Sequence, residues 1–244
     1  MRESGKQAGE VSQLVQTGAM ARASRFVDDG YELFSDVVDS QLLAELQRTL
    51  QVEPGRAGER RLLDSVSVVR SLCRQGELLS LARSLLGEGA FPVRAILFDK
   101  TPDSNWKVPW HQDLAIPVRE KRESEGFVGW SQKEGVWHVC PPASVLDHMV
   151  TLRLHLDNCA AVNGPLRVLP GSHRLGVLSV SQVTEMKVAI APFICLARAG
   201  DVLAMKPLLL HASSPAEVPS HRRVLHVEYA RRPLPGGLEW ASAE

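Results

Sequence analysis

The 244-residue chain has no surplus of charge of either sign: 28 Lys and Arg stand against 28 Asp and Glu. A dedicated nucleic-acid binder carries a basic excess, so no nucleic-acid partner is expected. Long hydrophobic runs are also missing. The longest apolar stretch, Val188 to Ala197, is broken by Pro192 and is too short to cross a bilayer. The opening MRESGKQAGEVSQ has no hydrophobic signal core. The expectation is a cytoplasmic protein with no membrane partner. Cysteine is scarce: Cys73, Cys140, Cys159 and Cys195 form no CxxC pair, so a zinc ribbon or thioredoxin-type motif is not supported and free thiols are expected. Aromatics are only 5% of the chain, yet Trp106, Trp110, Trp130 and Trp137 fall close together. There is no internal repeat and no low-complexity tract.

What is present suffices for a core. Apolar residues make up 44% and charged residues 23%, as in ordinary globular proteins. Residues 1–20 are polar and read as a flexible tail; residues 21–244 read as a single domain. Asp39 or Ser40 is placed to cap a helix through QLLAELQRTL, whose Leu42, Leu43, Leu46 and Leu50 share one face. VEPGRAGERR (52–61) reads as a loop. A second helix is predicted from about Gly76 to Leu86, stopped by Gly87. After Gly89 the pattern changes to strands: 91–100, the strictly alternating TLRLHLDN (151–158), 163–173, the segment after the Gly200-Asp201 turn, and 221–230. Residues 119–137 are charged and read as a long surface excursion or lid. Helices followed by short strands suggest a β-sandwich or barrel with helices packed on one side.

The chemistry depends on which of eight histidines converge. In His111-Gln112-Asp113 an extended backbone points an imidazole and a carboxylate the same way. His211 ends the run VLAMKPLLL, where a side chain can project into a barrel mouth. Two histidines and one carboxylate form the facial triad of non-haem Fe(II) oxygenases. A lone HxD is weak evidence, and the chain has a second one, His155-Leu156-Asp157. Arg222 follows His211 at the start of the last strand. A 2-oxoglutarate site needs a buried cation for the distal carboxylate, and the planar fork of arginine suits it. Arg223 then faces the other way. Ser213 is placed to donate to the same carboxylate. The plainer alternative for Arg222 is a surface ion pair.

Five blocks carry a resemblance: ILFDKTPDS (96–104), WHQDL (110–114), NGPLRVLPGSH (163–173), GDVLAMKPLLLHASS (200–214) and RRVLHVEYA (222–230). In their order and spacing the chain resembles the phytanoyl-CoA dioxygenase family of Fe(II)/2-oxoglutarate oxygenases over about residues 26–231. The resemblance implies a mainly β fold with flanking helices around a double-stranded β-helix, the jelly-roll or cupin-like core. It implies Fe(II) on His111, Asp113 and His211, and 2-oxoglutarate on Arg222 and Ser213. It implies O₂ as second co-substrate and hydroxylation of a small-molecule C–H bond, with 2-oxoglutarate leaving as succinate and CO₂. Relatives that halogenate lack the carboxylate that Asp113 supplies, which favours hydroxylation.

Two departures bear on the substrate. Where the enzyme that gives the family its name has a tryptophan near the co-substrate, this chain has Arg153, a co-substrate or substrate contact or else the ion-pair partner of Asp157. The 119–137 segment is the other. A coenzyme A tail needs cations, but Arg119, Lys121 and Arg122 alternate with Glu120, Glu123 and Glu125, which disfavours an acyl-CoA. Lys100, Trp110, Trp130, Trp137 and His226 are the candidates for the substrate pocket, with packing of the excursion as the alternative for the tryptophans. His155-x-Asp157 reads as a decoy, His173 as a turn stabiliser, and His138, His148 and His221 as loop residues. A monomer or homodimer is expected. The competing reading is a metal-binding jelly roll that is non-catalytic or has other chemistry, which has no use for Arg222 and Ser213.

Overall fold

The computed structural model describes residues 25–242, so the tail expected over 1–20 lies outside them. The chain opens with a helical turn, α1 (25–29), and an edge strand, β1 (Tyr31–Phe34). Asp39 then caps α2 (Ser40–Thr49), its carboxylate accepting from Leu42 N at 2.8 Å. The expected loop at 52–61 contains a two-residue strand, β2 (Gly58–Glu59). Three helices follow: α3 (Leu62–Ser65), α4 (Ser67–Arg74) and α5 (Glu77–Leu86). Gly87, with φ +100°, ends α5 in a conformation that a side chain resists.

The strands are β3 (Phe91–Asp99), β4 (Val108–His111), β5 (Ile116–Val118), β6 (Val128–Lys133) and β7 (Val136–Cys140). After α6 (Ala143–Leu146) come β8 (Met149–His155) and β9 (Leu166–Val168). Then follow α7 (Val180–Ala189), β10 (Phe193–Cys195), β11 (Val202–Met205), β12 (His211–Ser213) and β13 (Arg223–Ala230). Six strands form an antiparallel sheet in the order β1-β11-β8-β13-β3-β2, and four form a second in the order β10-β9-β12-β4. They are the two halves of a jelly roll.

Alternation sorts the larger sheet into two faces. Val150, Leu152 and Leu154 of β8, and Leu225, Val227 and Tyr229 of β13, enter one buried cluster with Leu46, Leu72 and Leu78 of the helices. The opposite face carries Arg153, His155, His226 and Glu228, all buried. A polar face is thus held inside the molecule by an apolar one that anchors it to the helices. Among the described residues no helix is long and apolar enough to cross a membrane. All four cysteines are free.

The 119–137 segment departs from the expected irregular excursion. It holds β6 and the first two residues of β7, a hairpin that joins β5 in a three-stranded sheet. Its turn, Glu134-Gly135, has both φ values positive, at 51° and 80°, as a tight two-residue hairpin requires. Phe127 and Val139 bury the hairpin against Ile116, Met149 and Trp240.

Candidate metal centre

His111 closes β4 and His211 opens β12, and the antiparallel register makes them direct partners. Their ring centroids lie 4.2 Å apart. Asp113 lies two residues past β4, its backbone N–H donating to Pro207 O at 2.9 Å. Asp113 Oδ1 is 3.5 Å from His111 Nε2, and Oδ2 is 3.6 Å from His211 Nε2. Each imidazole donates through Nδ1 to the carbonyl two residues earlier, Pro109 O and Leu209 O, both at 2.9 Å. These bonds fix the tautomer and aim both Nε2 lone pairs at the carboxylate. Burial lowers His211 to about 4, so its ring is neutral there. Asp113 Oδ2 is buried without a hydrogen-bond partner. With neutral rings the lone pairs face one another, an arrangement that a bound cation stabilises, and one donor atom from each residue lies within 4.8 Å of the others.

Gln112, between two of these residues, faces the other way and is buried. Its Nε2 donates to Gly176 O at 2.8 Å and Leu208 O at 2.7 Å, and its Oε1 accepts from Leu178 N at 2.9 Å. The carboxamide pins the HxD segment to two neighbouring loops. Sequence reasoning passed over it because a glutamine between two candidate ligands carries no signal of its own.

Arg153 and Arg222 line the same cavity, of about 220 Å³, as the three candidate ligands. Both are buried, and each leaves its Nε–H without a partner. Burial, then mutual repulsion with Arg222, lowers Arg153 to about 10. The expected alternative of an Arg153–Asp157 pair is not what forms. Asp157 instead accepts from Arg223, at 2.9 Å from Nε and 2.8 Å from Nη2, on the far side of β13. Arg153 donates from Nη1 to His226 Nδ1 at 2.9 Å. Nor does Arg222 lie on the surface in an ion pair: it is 4% exposed.

Ser213 is two residues from His211 and also lines the cavity. Lys100 donates to Ser213 Oγ at 3.0 Å and to Ser214 O. An ammonium can only donate, so Ser213 accepts there and keeps its own O–H for a ligand. This corrects the expectation for Lys100. It is fully buried behind Ser213 and does not line the cavity. Burial, then Arg222, lowers it to about 8.

The other candidates separate. His226 lines the cavity, accepts from Arg153, and therefore donates from Nε2 to Glu228 Oε1 at 3.2 Å. Trp130 and Trp137 do not line it; they stack edge to face at 6.4 Å and pack the hairpin against the core. Trp110 turns to Arg167, whose guanidinium lies 5.6 Å from its ring. Trp106 is the tryptophan that does line the cavity. His155 and Asp157 do not converge. His155 is buried with both nitrogens unpartnered, and burial beside Arg153 and Arg222 lowers it to about 3. His173 bonds Val27 O at 3.1 Å and ties its turn to α1. His138 is on β7 and buried, not in a loop. Arg60, Arg94 and Lys133 also line the cavity and were not foreseen, because they come from three segments that only the fold brings together.

Fold and site define a jelly-roll protein with a two-histidine, one-carboxylate cluster beside two buried arginines. The model of the phytanoyl-CoA dioxygenase family matches residues 32–224, and the chain belongs to that family. An L-proline trans-4-hydroxylase from Streptomyces griseoviridis is 29% identical over 115 residues, 47% of this chain. The match spans about a third, 35%, of that relative's length. Among solved structures, AviO1 from Streptomyces viridochromogenes Tue57 superposes with a TM-score of 0.63 at 22% identity, covering 89% of this chain and 96% of its own. The epimerase SnoN, solved with Fe3+, alpha ketoglutarate and nogalamycin RO, has a TM-score of 0.67 at 16% identity, with 91% and 92% covered.

Proposed function

We propose that the protein is a 2-oxoglutarate-dependent dioxygenase that hydroxylates a C–H bond of a small molecule. His111, Asp113 and His211 hold Fe(II) through two Nε2 atoms and one carboxylate oxygen. That donor set suits Fe(II) and leaves positions open for other ligands. The observation that carries the reading is the pair of buried guanidiniums, Arg153 and Arg222. Among the described residues neither has a carboxylate partner, and both face the candidate ligands' cavity. Two unpaired buried cations are costly, and a dianion of the size of 2-oxoglutarate offsets both. Bound there with O₂, iron and 2-oxoglutarate supply the oxidant, and the 2-oxo acid leaves as succinate and CO₂.

The chain's own groups bind and orient. Arg222 takes the distal carboxylate in its fork, with the Ser213 hydroxyl donating beside it. Lys100 holds Ser213 in that orientation. Arg153, steadied by His226, faces the rest of the co-substrate. The buried wall formed by Arg153, His226 and Glu228 keeps water from that side. The relative named for trans-4-hydroxylation of L-proline supports hydroxylation as the reaction. A coenzyme A thioester finds little charge to bind. Lys121 pairs with Glu123 and Arg122 with Glu120, both at 3.3 Å, and Arg119 with Glu239.

An anaerobic absorbance titration tests this. Fe(II) is added to the apo protein, then 2-oxoglutarate. The expected result is a visible charge-transfer band of a chelated 2-oxo acid that saturates. Folded, iron-loaded protein that gives no band overturns the reading.

A further inference from the structure

The cavity continues away from Arg222 toward the hairpin. There it is lined by Arg60 from beside β2, Arg94 from β3 and Lys133 from β6. A smaller adjoining hollow of about 110 Å³ shares these three residues and Ile96. Most of the charge at this end is matched. Arg94 donates to Glu228, which also takes the Nε2–H of His226. Arg60 meets Glu134 at 3.5 Å, and Glu134 also meets Arg56, which holds Glu59 at 3.0 Å. Asp64, beside the hollow, pairs with Arg61 at 3.4 Å. His138 donates from Nδ1 to Val136 O, and burial lowers its pKa, so its ring is neutral.

Lys133 is what remains. Among the described residues its ammonium has no hydrogen bond and no ion pair within reach. Partial burial, then the repulsive field of Arg94 and Arg60, lowers its pKa against the opposing pull of Cys140 and Glu228. Four cations (Arg56, Arg60, Arg94 and Lys133) face three carboxylates (Glu59, Glu134 and Glu228). One positive charge is unmatched. The Nε–H of Arg94, buried and without a partner, adds a free donor in the same wall.

We infer that the substrate is a small carboxylic acid whose carboxylate docks on Lys133, flanked by Arg60 and Arg94, at the end of the cavity away from Arg222. The inference rests on the 2-oxoglutarate reading, because that reading gives Arg153 and Arg222 to the co-substrate and leaves Lys133 for the substrate. One unmatched charge suits a monoanion better than a phosphate ester or a coenzyme A tail. The confined room suits a compact molecule, since 220 Å³ is below the usual range of ligand clefts, roughly 300–1,000 Å³, and the co-substrate takes part of it. Lys133 is exposed and also lines the cavity, so a carboxylate can reach it from solvent.

The test loads the protein with Fe(II) and 2-oxoglutarate without oxygen and titrates a panel of small carboxylic and amino acids, each paired with its primary amide. Binding is read by calorimetry and by the shift of the charge-transfer band. Acids are expected to bind, with their amides roughly 10–100-fold weaker. Lys133→Met is expected to abolish that preference while the 2-oxoglutarate titration stays unchanged, and Lys133→Arg to keep it. Amides that bind as well as acids, a panel in which no acid binds, or Lys133→Met that still discriminates each overturns the inference. If no band forms before any acid is added, the co-substrate reading fails and takes this one with it. A band without acid preference sinks this one alone.

Discussion

Arg153 and His226 stand directly opposite each other on β8 and β13, and Arg153 donates to His226 Nδ1 across 2.9 Å. The bond determines the imidazole's tautomer: Nδ1 accepts, so Nε2 carries the proton and donates to Glu228. Glu228 in turn accepts from Arg94. A buried chain thus runs from the co-substrate end of the cavity to the hairpin end. The expected outcome for His226→Leu is a free Arg153 head group and a 2-oxoglutarate half-saturation raised roughly tenfold or more, the value of a charge-assisted hydrogen bond. Fe(II) binding should be unchanged. Titrating the charge-transfer band in the variant checks this. An unaltered half-saturation removes Arg153 from the co-substrate site.

Asp113 separates metal binding from everything else. Its carboxylate lies between two fixed Nε2 lone pairs, so Asp113→Ala takes away one of three donors and leaves two neutral imidazoles. Losing a ligand costs more than losing an outer hydrogen bond, so the affinity for Fe(II), or for Zn(II) as a redox-inert stand-in, should fall by more than about 100-fold. The apo variant should melt close to the parent, because Oδ2 has no hydrogen-bond partner to lose while Oδ1 gives up only its contact with His111 at 3.5 Å. Calorimetric metal titration and a melting curve decide it. Retained tight binding means the ligand set is wrong.

Arg222 and Arg223 are neighbours with opposite duties. Arg223 clamps Asp157 and donates to Gln47 O at 2.8 Å, joining β13 to α2. Arg223→Ala leaves Asp157 with only the backbone N–H of residue 223, at 2.8 Å, and the loss of two charge-assisted bonds costs about 3 kcal/mol. The melting temperature should fall by about 6–12 °C, with 2-oxoglutarate binding little changed in the folded fraction. Arg222→Met should do the reverse. It removes a buried charge, so the apo protein melts at the same temperature or higher, while 2-oxoglutarate no longer stabilises it. Thermal scans of both variants with and without metal and co-substrate make the comparison. Equal behaviour of the two would refute the division of labour.

How much of this was legible follows from what each residue's signal depends on. The candidate ligands were legible because His111 and Asp113 are two apart and His211 ends an apolar run. Period-2 alternation sufficed for Arg222 against Arg223 and for Leu152 against Arg153. Alternation says nothing about strand pairing, so the Arg153–His226 register and the Asp157–Arg223 clamp had to come from the fold. The hairpin was missed because its solvent face is charged, the residues that pack inward (Phe127, Trp130, Trp137 and Val139) are unevenly spaced, and a bulge between Val128 and Ser131 breaks the alternation. Lys100 was misplaced because it shares the parity of Arg94, Ile96 and Phe98, which do line the cavity, yet its ammonium is taken up by Ser213. Tryptophans near a motif looked like pocket walls. Trp130 and Trp137 pack against each other and against the cluster under their own small sheet instead.

Gln112 tests how far the metal centre depends on its support. Its carboxamide makes three hydrogen bonds, two donated and one accepted, to backbone on either side of the HxD segment. Gln112→Glu has nearly the same shape but cannot donate, so a carboxylate would face the carbonyls of Gly176 and Leu208. Gln112→Leu leaves all three backbone groups unpaired without adding a charge. Both should loosen the segment that carries His111 and Asp113 and weaken metal binding by roughly 10–100-fold, the usual cost of losing an outer-shell partner. Glu should be the worse of the two, because the repulsion adds to the lost bonds. The 2-oxoglutarate groups are on β8, β12 and the approach to β13, so co-substrate affinity measured at saturating metal should change little. Metal titrations of the folded variants give the answer. Unchanged affinity in both would mean that the β4–β12 pairing alone holds the ligands in place.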